Sequence, residues 1–156
     1  MKVWTSFYGN LKNIPKDFFI IAASGGLPEA LKKSVDYWSI DLAPNKSIYF
    51  EYKEKNDWQK YTNRFNDEIL SKIDWLEKFE SFELEANKIG KTLDNIVILC
   101  YESVDTIDGK GIFCHRYILA ESIEKEFSTQ VCEYGYENYI RNNYKLEQPF
   151  SADFLF

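Results

Sequence analysis

The chain is short of the residues on which most dedicated chemistry is built. Its 156 residues include one histidine, one methionine, three cysteines and four prolines. No Cys-x-x-Cys pair, Walker loop, Rossmann glycine fingerprint or His-Glu-x-x-His motif occurs. The common zinc, P-loop and dinucleotide signatures are therefore missing. Cys100 lacks the following Arg of a phosphatase cysteine loop. No apolar run approaches the ~20 residues needed to span a bilayer, so no membrane association is expected. Met1-Lys2 leads straight into a mixed segment and is read as no signal peptide. Three cysteines, an odd number, then point to reduced thiols and a cytoplasmic location. Positive charge is in deficit, with 19 Lys and Arg against 25 Asp and Glu. A net charge of −6 disfavours a broad nucleic-acid surface, though it leaves room for a local basic crevice.

Apolar content is not lacking. Hydrophobic residues make up 45% and aromatics 17%, which excludes disorder and predicts a ring-rich core. No repeat, low-complexity tract or linker divides the chain. It reads as a single domain over 1–156, with an aromatic, Asn-rich extension from 135 to 156 that packs on the body or meets a partner.

The strongest signal runs from Ile96 to Phe127. Ile96 to Leu99 is an unbroken apolar run, mostly β-branched, as in a strand buried on both faces. Cys100, Tyr101 and Glu102 carry it into a loop, Ser103 to Gly111, with two Asp and two Gly. From Cys114 the period becomes helical, with Ile118, Leu119, Ser122, Ile123 and Phe127 in one stripe. Strand, loop and helix in that order form half of a βαβ unit, whose ligands bind beyond the carboxyl ends of the strands. Cys100 and Glu102 then face one crevice with Cys114, His115 and Arg116. A helix start favours anions, so it should lower the Cys114 thiol pKa and disfavour charge on His115. Arg116 suits a phosphate or carboxylate.

These residues admit more than one chemistry. Cys114 reads as a nucleophile or a structural residue, and Cys100 as a core thiol or a partner of His115. A Cys114–His115 dyad needs a bend, because adjacent helical residues diverge; Cys100 with His115 is an equally open pairing. Glu102 could orient His115, act as a base, or merely pair with Arg116. Cys100, Cys114, His115 and Cys132 would make four zinc ligands, but a contiguous Cys-His pair suits one ion poorly, so no metal and no cofactor are assigned.

Leu99-Cys100-Tyr101-Glu102 followed by Cys114-His115-Arg116 and an apolar helix resembles domain-of-unknown-function family 488 (DUF488). The opening Trp4 to Leu11, the Leu42-Ala43-Pro44 step and the Tyr61 to Leu70 segment are also similar, so the likeness runs from about Val3 to Glu133. It implies a small α/β domain, mostly bacterial and phage-associated, with no established activity. The family often has an Arg after the second strand's Ser, where this chain has Ser24-Gly25-Gly26.

Elsewhere, strands are predicted near 3–7, 18–23, 96–101 and 131–134. The stretch from Leu27 to Ile40 reads as a short helix and a loop. Three crossover helices follow. The first starts at Pro44 or Asn45 with Ile48, Tyr49 and Tyr52 on its apolar side. The second is capped by Asp57. The third runs from Asp74 to Gly90 with Leu76, Phe79, Phe82, Ala86 and Ile89 inward. The expected fold is an α/β, Rossmann-like layered domain with a small, mainly parallel sheet and flanking helices. Thr5, Ser6, Ser24 and Gly25, near strand ends, join Arg116 as ligand-binding candidates, and the two glycines suit an anion nest or a plain turn. Catalytic candidates are Cys114, His115, Glu102 and Cys100. Two functions fit: an enzyme acting on a small anionic or nucleotide-like ligand, or a non-catalytic interaction protein with a protein partner or homo-oligomer and a structural Cys-His-Arg motif.

Overall fold

The computed structural model describes residues 1–103 and 114–136. Most of the loop after Ser103 and all of the extension past Tyr136 lie outside the described residues.

Five strands form one parallel sheet: β1 (Lys2–Phe7), β2 (Phe19–Ala22), β3 (Tyr37–Trp38), β4 (Asn95–Cys100) and β5 (Val131–Glu133). Their spatial order is β3-β2-β4-β1-β5. β4 is the middle strand. It pairs along its whole length with β1, Lys2 opposite Asn95 through Phe7 opposite Cys100, and with β2 on its other side. The unbroken apolar run is explained by that position, since Ile96 to Leu99 are wholly buried.

The two faces of the sheet are covered differently. Val3, Phe19, Ile21, Ile96, Ile98, Cys100 and Val131 meet the side chains of four α-helices. These are α1 (Lys46–Lys55), α2 (Trp58–Glu68), α3 (Trp75–Lys88) and α4 (Arg116–Phe127). Trp4, Ile20, Ala22, Val97 and Leu99 point the other way and, among the described residues, meet no α-helix. Aromatic rings and two 3-10 helices, Tyr8–Asn13 and Glu29–Ser34, cover them. Trp4 stacks on Phe18, and Tyr134 sets its edge against both. Among the described residues no helix is long and apolar enough to cross a membrane.

Local chemistry sets the helix limits. The side chains of Asn45, Asp57 and Asp74 each accept a hydrogen bond from the backbone N–H three residues on, at the starts of α1, α2 and α3. Gly90, at φ +72, turns the chain after α3. The buried stripe of α3 differs from the expected one at both ends: Trp75 is buried in place of Leu76, and Leu76 and Ile89 are exposed. On α1, Ile48 and Tyr52 turn inward and Tyr49 does not. The stretch read as helix and loop holds a 3-10 helix and the two-residue edge strand β3. Asp36 anchors β3, accepting from the Ile20 N–H at 2.8 Å and from Lys91 Nζ at 2.7 Å.

Arg116 joins α4 to the sheet. It is fully buried, and donates from Nε and Nη2 to the two Glu133 oxygens at 3.1 and 2.8 Å. Its Nη1 donates to the Glu102 carbonyl at 2.6 Å. The Thr5 hydroxyl adds a 2.6 Å bond to Glu133 Oε1. Removing one partner would strand the other as an unpaired buried charge. Arg116→Met should therefore cost roughly 3–5 kcal/mol, and adding Glu133→Leu should recover most of it. Urea midpoints check this, and a single variant as stable as the native chain would contradict it.

Candidate functional site

The site forms where β4 ends. Cys100 closes that strand with its sulfur on the helical face. Ala23 and Ser24 follow the neighbouring strand β2, and Cys114 and His115 lead into α4. Three separate segments thus converge beyond the carboxyl end of the sheet.

His115 fixes the polarity of the cluster. Its Nε2 lies 2.5 Å from the Ala23 carbonyl, which can only accept, so Nε2 carries a proton. In the neutral ring Nδ1 is then an acceptor, and it stands 3.6 Å from Cys100 Sγ. Glu102 Oε2 lies at the same distance from that sulfur. The Phe65 ring tilts against the imidazole, with centroids 5.7 Å apart. The ligand atoms of Cys100, Cys114 and His115 all fall within 4.8 Å of one another. Cys132 is not among them. It packs on the sheet's opposite face, so only three of the four zinc-type residues meet.

A cavity of about 490 Å³ opens above this cluster. Cys100, Glu102 and His115 line it, as do Ser24 and Gly25, while Cys114 lies behind them, 1% exposed. Ser24 is held on two sides. Its hydroxyl donates to the Gly26 carbonyl at 2.6 Å, so the Tyr8 hydroxyl must donate to it. Neither Gly25 nor Gly26 adopts a positive φ, so the nest conformation is not formed and the segment is a plain bend. Thr5 and Ser6 are wholly buried in β1 away from the cavity. Thr5 bonds Glu133, and Ser6 accepts from Asn10 Nδ2 at 3.1 Å. Arg116 also lies behind the wall, and its carboxylate partner is Glu133 rather than Glu102.

Sequence reading missed Glu133, the Ala23 carbonyl and one face of α1. Lys46, Tyr49, Phe50 and Lys53 all line the cavity. Their spacing of three, four and seven residues was a usable signal, hidden because Tyr49 also fits the spacing of the buried side.

The electrostatics reverse two expectations. Burial pushes the Cys114 thiol well above its ordinary value, and the Cys100 sulfur beside it adds to the rise. Desolvation outweighs any help from the helix start, because Cys114 precedes the helical residues and is wrapped in core. For His115, burial is the largest influence and opposes charge. Cys114, the Ala23 carbonyl and Glu102 together outweigh it and raise the imidazole above its usual 6.5.

Residues 9–127 match the family model DUF488-N3a, described as the active DUF488-N3 subclade. No curated protein and no solved structure matches the chain.

The raised thiol has a pH consequence. A buried acid whose folded pKa exceeds its unfolded value stays neutral in the fold while the unfolded chain ionises. The contribution of this thiol is whole below the ordinary cysteine value of 9.0 and is lost as pH climbs past it. The buried Tyr61, raised from 10.0 by desolvation, extends the loss further. Urea midpoints should already ease as pH climbs above 6.5, where the raised His115 loses its proton, and should drop again past about pH 9, with a smaller second drop in Cys114→Ala. A midpoint that rises with alkali would contradict this.

Proposed function

The chain belongs to the DUF488 family, and from that premise we propose that it is an enzyme using Cys100 as nucleophile on a small anionic, nucleotide-like ligand. The observation that carries the reading is the 3.6 Å approach of Cys100 Sγ to His115 Nδ1 at the floor of an open cavity. A nucleophile beside a base, and a base oriented by a third group, is the arrangement covalent catalysis needs. Here the third group is the Ala23 carbonyl, which keeps the proton on Nε2 and leaves Nδ1 free.

In this reading Nδ1 takes the thiol proton as the sulfur bonds to the electrophilic centre of the ligand. The imidazolium returns that proton to the departing group, and water then releases the bound fragment with His115 again as base. Glu102, 3.6 Å from the sulfur, favours the protonated ring and can orient that water. Ser24 and Gly25 form the wall that faces the ligand. Arg116 is a positioning residue that holds the Glu102 backbone. Thr5 and Ser6 support the strand behind it, and Cys114 backs the nucleophile as a neutral thiol.

A second reading rests on the same atoms. Cys100, Cys114 and His115 are close enough to hold one metal ion. His115 would bind through Nδ1 while Nε2 donates to a carbonyl, the usual outer-shell arrangement, and a fourth position would open to the cavity.

Alkylation separates these readings. With iodoacetamide at neutral pH, the native protein should react at Cys100 well before Cys114. His115→Ala should slow Cys100 by roughly 10²-fold or more, with a much smaller change in unfolding midpoint. Labelled sites are identified by mass spectrometry. Stoichiometric zinc that blocks labelling at both cysteines selects the metal reading. Equal, slow labelling at both, with variants that lose only stability, leaves a structural lock and ends the enzyme proposal.

A further inference from the structure

One helix face is left over by the packing. α1 buries Ile48 and Tyr52. Lys46, Tyr49, Phe50 and Lys53, at i, i+3, i+4 and i+7, form a stripe along the cavity mouth. Tyr49 is 42% exposed and Phe50 62%. Two large rings side by side in water are costly surface, and on a cavity rim they suggest a ligand. Their centroids are 5.4 Å apart with planes 71° apart, so they present one flat face and one edge. Tyr101 adds a third ring to the lining. It is 49% exposed, and is held by its hydroxyl on the Gly26 carbonyl at 2.9 Å and by an edge contact with Tyr8.

The stripe carries two cations in an acidic chain. On the neighbouring helix α2, Arg64 and Lys60 both reach Glu51, and Arg64 also holds Glu68. Among the described residues, neither Lys46 nor Lys53 has a carboxylate within ion-pair distance. Lys53 Nζ instead lies 5.8 Å from the Tyr49 ring centroid. The mouth therefore combines π faces with positive charge that has no carboxylate partner among the described residues, over a cavity of a size usual for small-molecule sites.

We propose that this stripe makes the cavity specific for a nucleoside phosphate, with the base stacked on the Tyr49, Phe50 and Tyr101 rings and the phosphate on Lys46 and Lys53. The proposal rests on the enzyme reading only for what happens at Cys100; recognition is carried by α1 itself. A bare sugar phosphate would leave the rings in water, and a neutral aromatic would leave both lysines unanswered. Stacking on aromatic side chains is tolerant of base identity, so the class is named rather than one base. The phosphate could be free or at the end of a strand, which the ligand set resolves.

Equilibrium binding to the full chain is measured by calorimetry with AMP, ribose phosphate, inorganic phosphate and an oligoadenylate bearing a terminal phosphate. AMP should bind, with ribose phosphate weaker by roughly tenfold or more. Tyr49→Ala and Phe50→Ala change exposed side chains and should keep the native unfolding midpoint. Each should weaken AMP by roughly tenfold to a hundredfold and leave ribose phosphate unchanged. Lys46→Gln and Lys53→Gln should weaken both ligands and flatten the salt dependence of AMP binding. An oligoadenylate that binds more tightly than AMP identifies a strand end as the source, and equal or weaker binding identifies the free nucleotide. The inference is overturned if AMP binds no better than ribose phosphate, or if the ring variants bind AMP like the native chain. Cys100 labelling is read separately, so either proposal can fail alone.

Discussion

A buried guanidinium organises this molecule. Arg116 has no access to water, so each charged N–H must find an acceptor inside the protein. Two take both oxygens of Glu133 and a third takes the Glu102 carbonyl. That demand draws the start of α4, the edge strand β5 and the exit of β4 to one point. His115 precedes Arg116, and Cys100 lies two residues before Glu102. The pairing of imidazole and sulfur is thus a by-product of satisfying one cation.

The unequal covering of the sheet supports the same arrangement. The four α-helices among the described residues lie on one face, so among those residues the crevice at the strand ends has a helical wall on that side only. The long crossover between β3 and β4 supplies α1, α2 and α3 to that wall. α1 then stands over the end of β4, and its outer residues become the rim of the cavity. The opposite face needs no such depth. Rings of Trp4, Phe18 and Tyr134 fill it at little length of chain. Rings of Phe19, Tyr52, Trp58, Tyr61, Phe65 and Phe82 fill the helical side as well, so the high aromatic content serves both faces.

What could be read from the sequence follows from the range of the forces involved. Cap residues act within one turn, so Asn45, Asp57, Asp74 and Gly90 were legible from their neighbours alone. β4 was legible because a middle strand must be apolar on both faces. β3 has two residues and no measurable period. Its anchor, Asp36 with Lys91, spans 55 residues. Pairing with Arg116 was one of the roles open to Glu102, the acid of its own motif, but the partner is Glu133, from a strand whose position sequence does not specify. The Cys114 thiol was misread for the same reason. A helix start is visible locally, whereas the depth of core around it is not. Tyr49 was placed on the wrong side of α1 because an aromatic at i+1 from Ile48 is equally consistent with either face.

The stretch that matches the family model, residues 9–127, contains neither β1 nor β5. Yet β1 hydrogen-bonds the middle strand along its length, and Glu133 is the counter-ion of Arg116. A fragment excised at those limits would turn the middle strand into an open edge, apolar on both faces and free to pair with another chain. The matched stretch is thus not a self-sufficient folding unit. Its closed sheet depends on two short flanking segments, Lys2–Phe7 and Val131–Glu133, that lie outside the matched range.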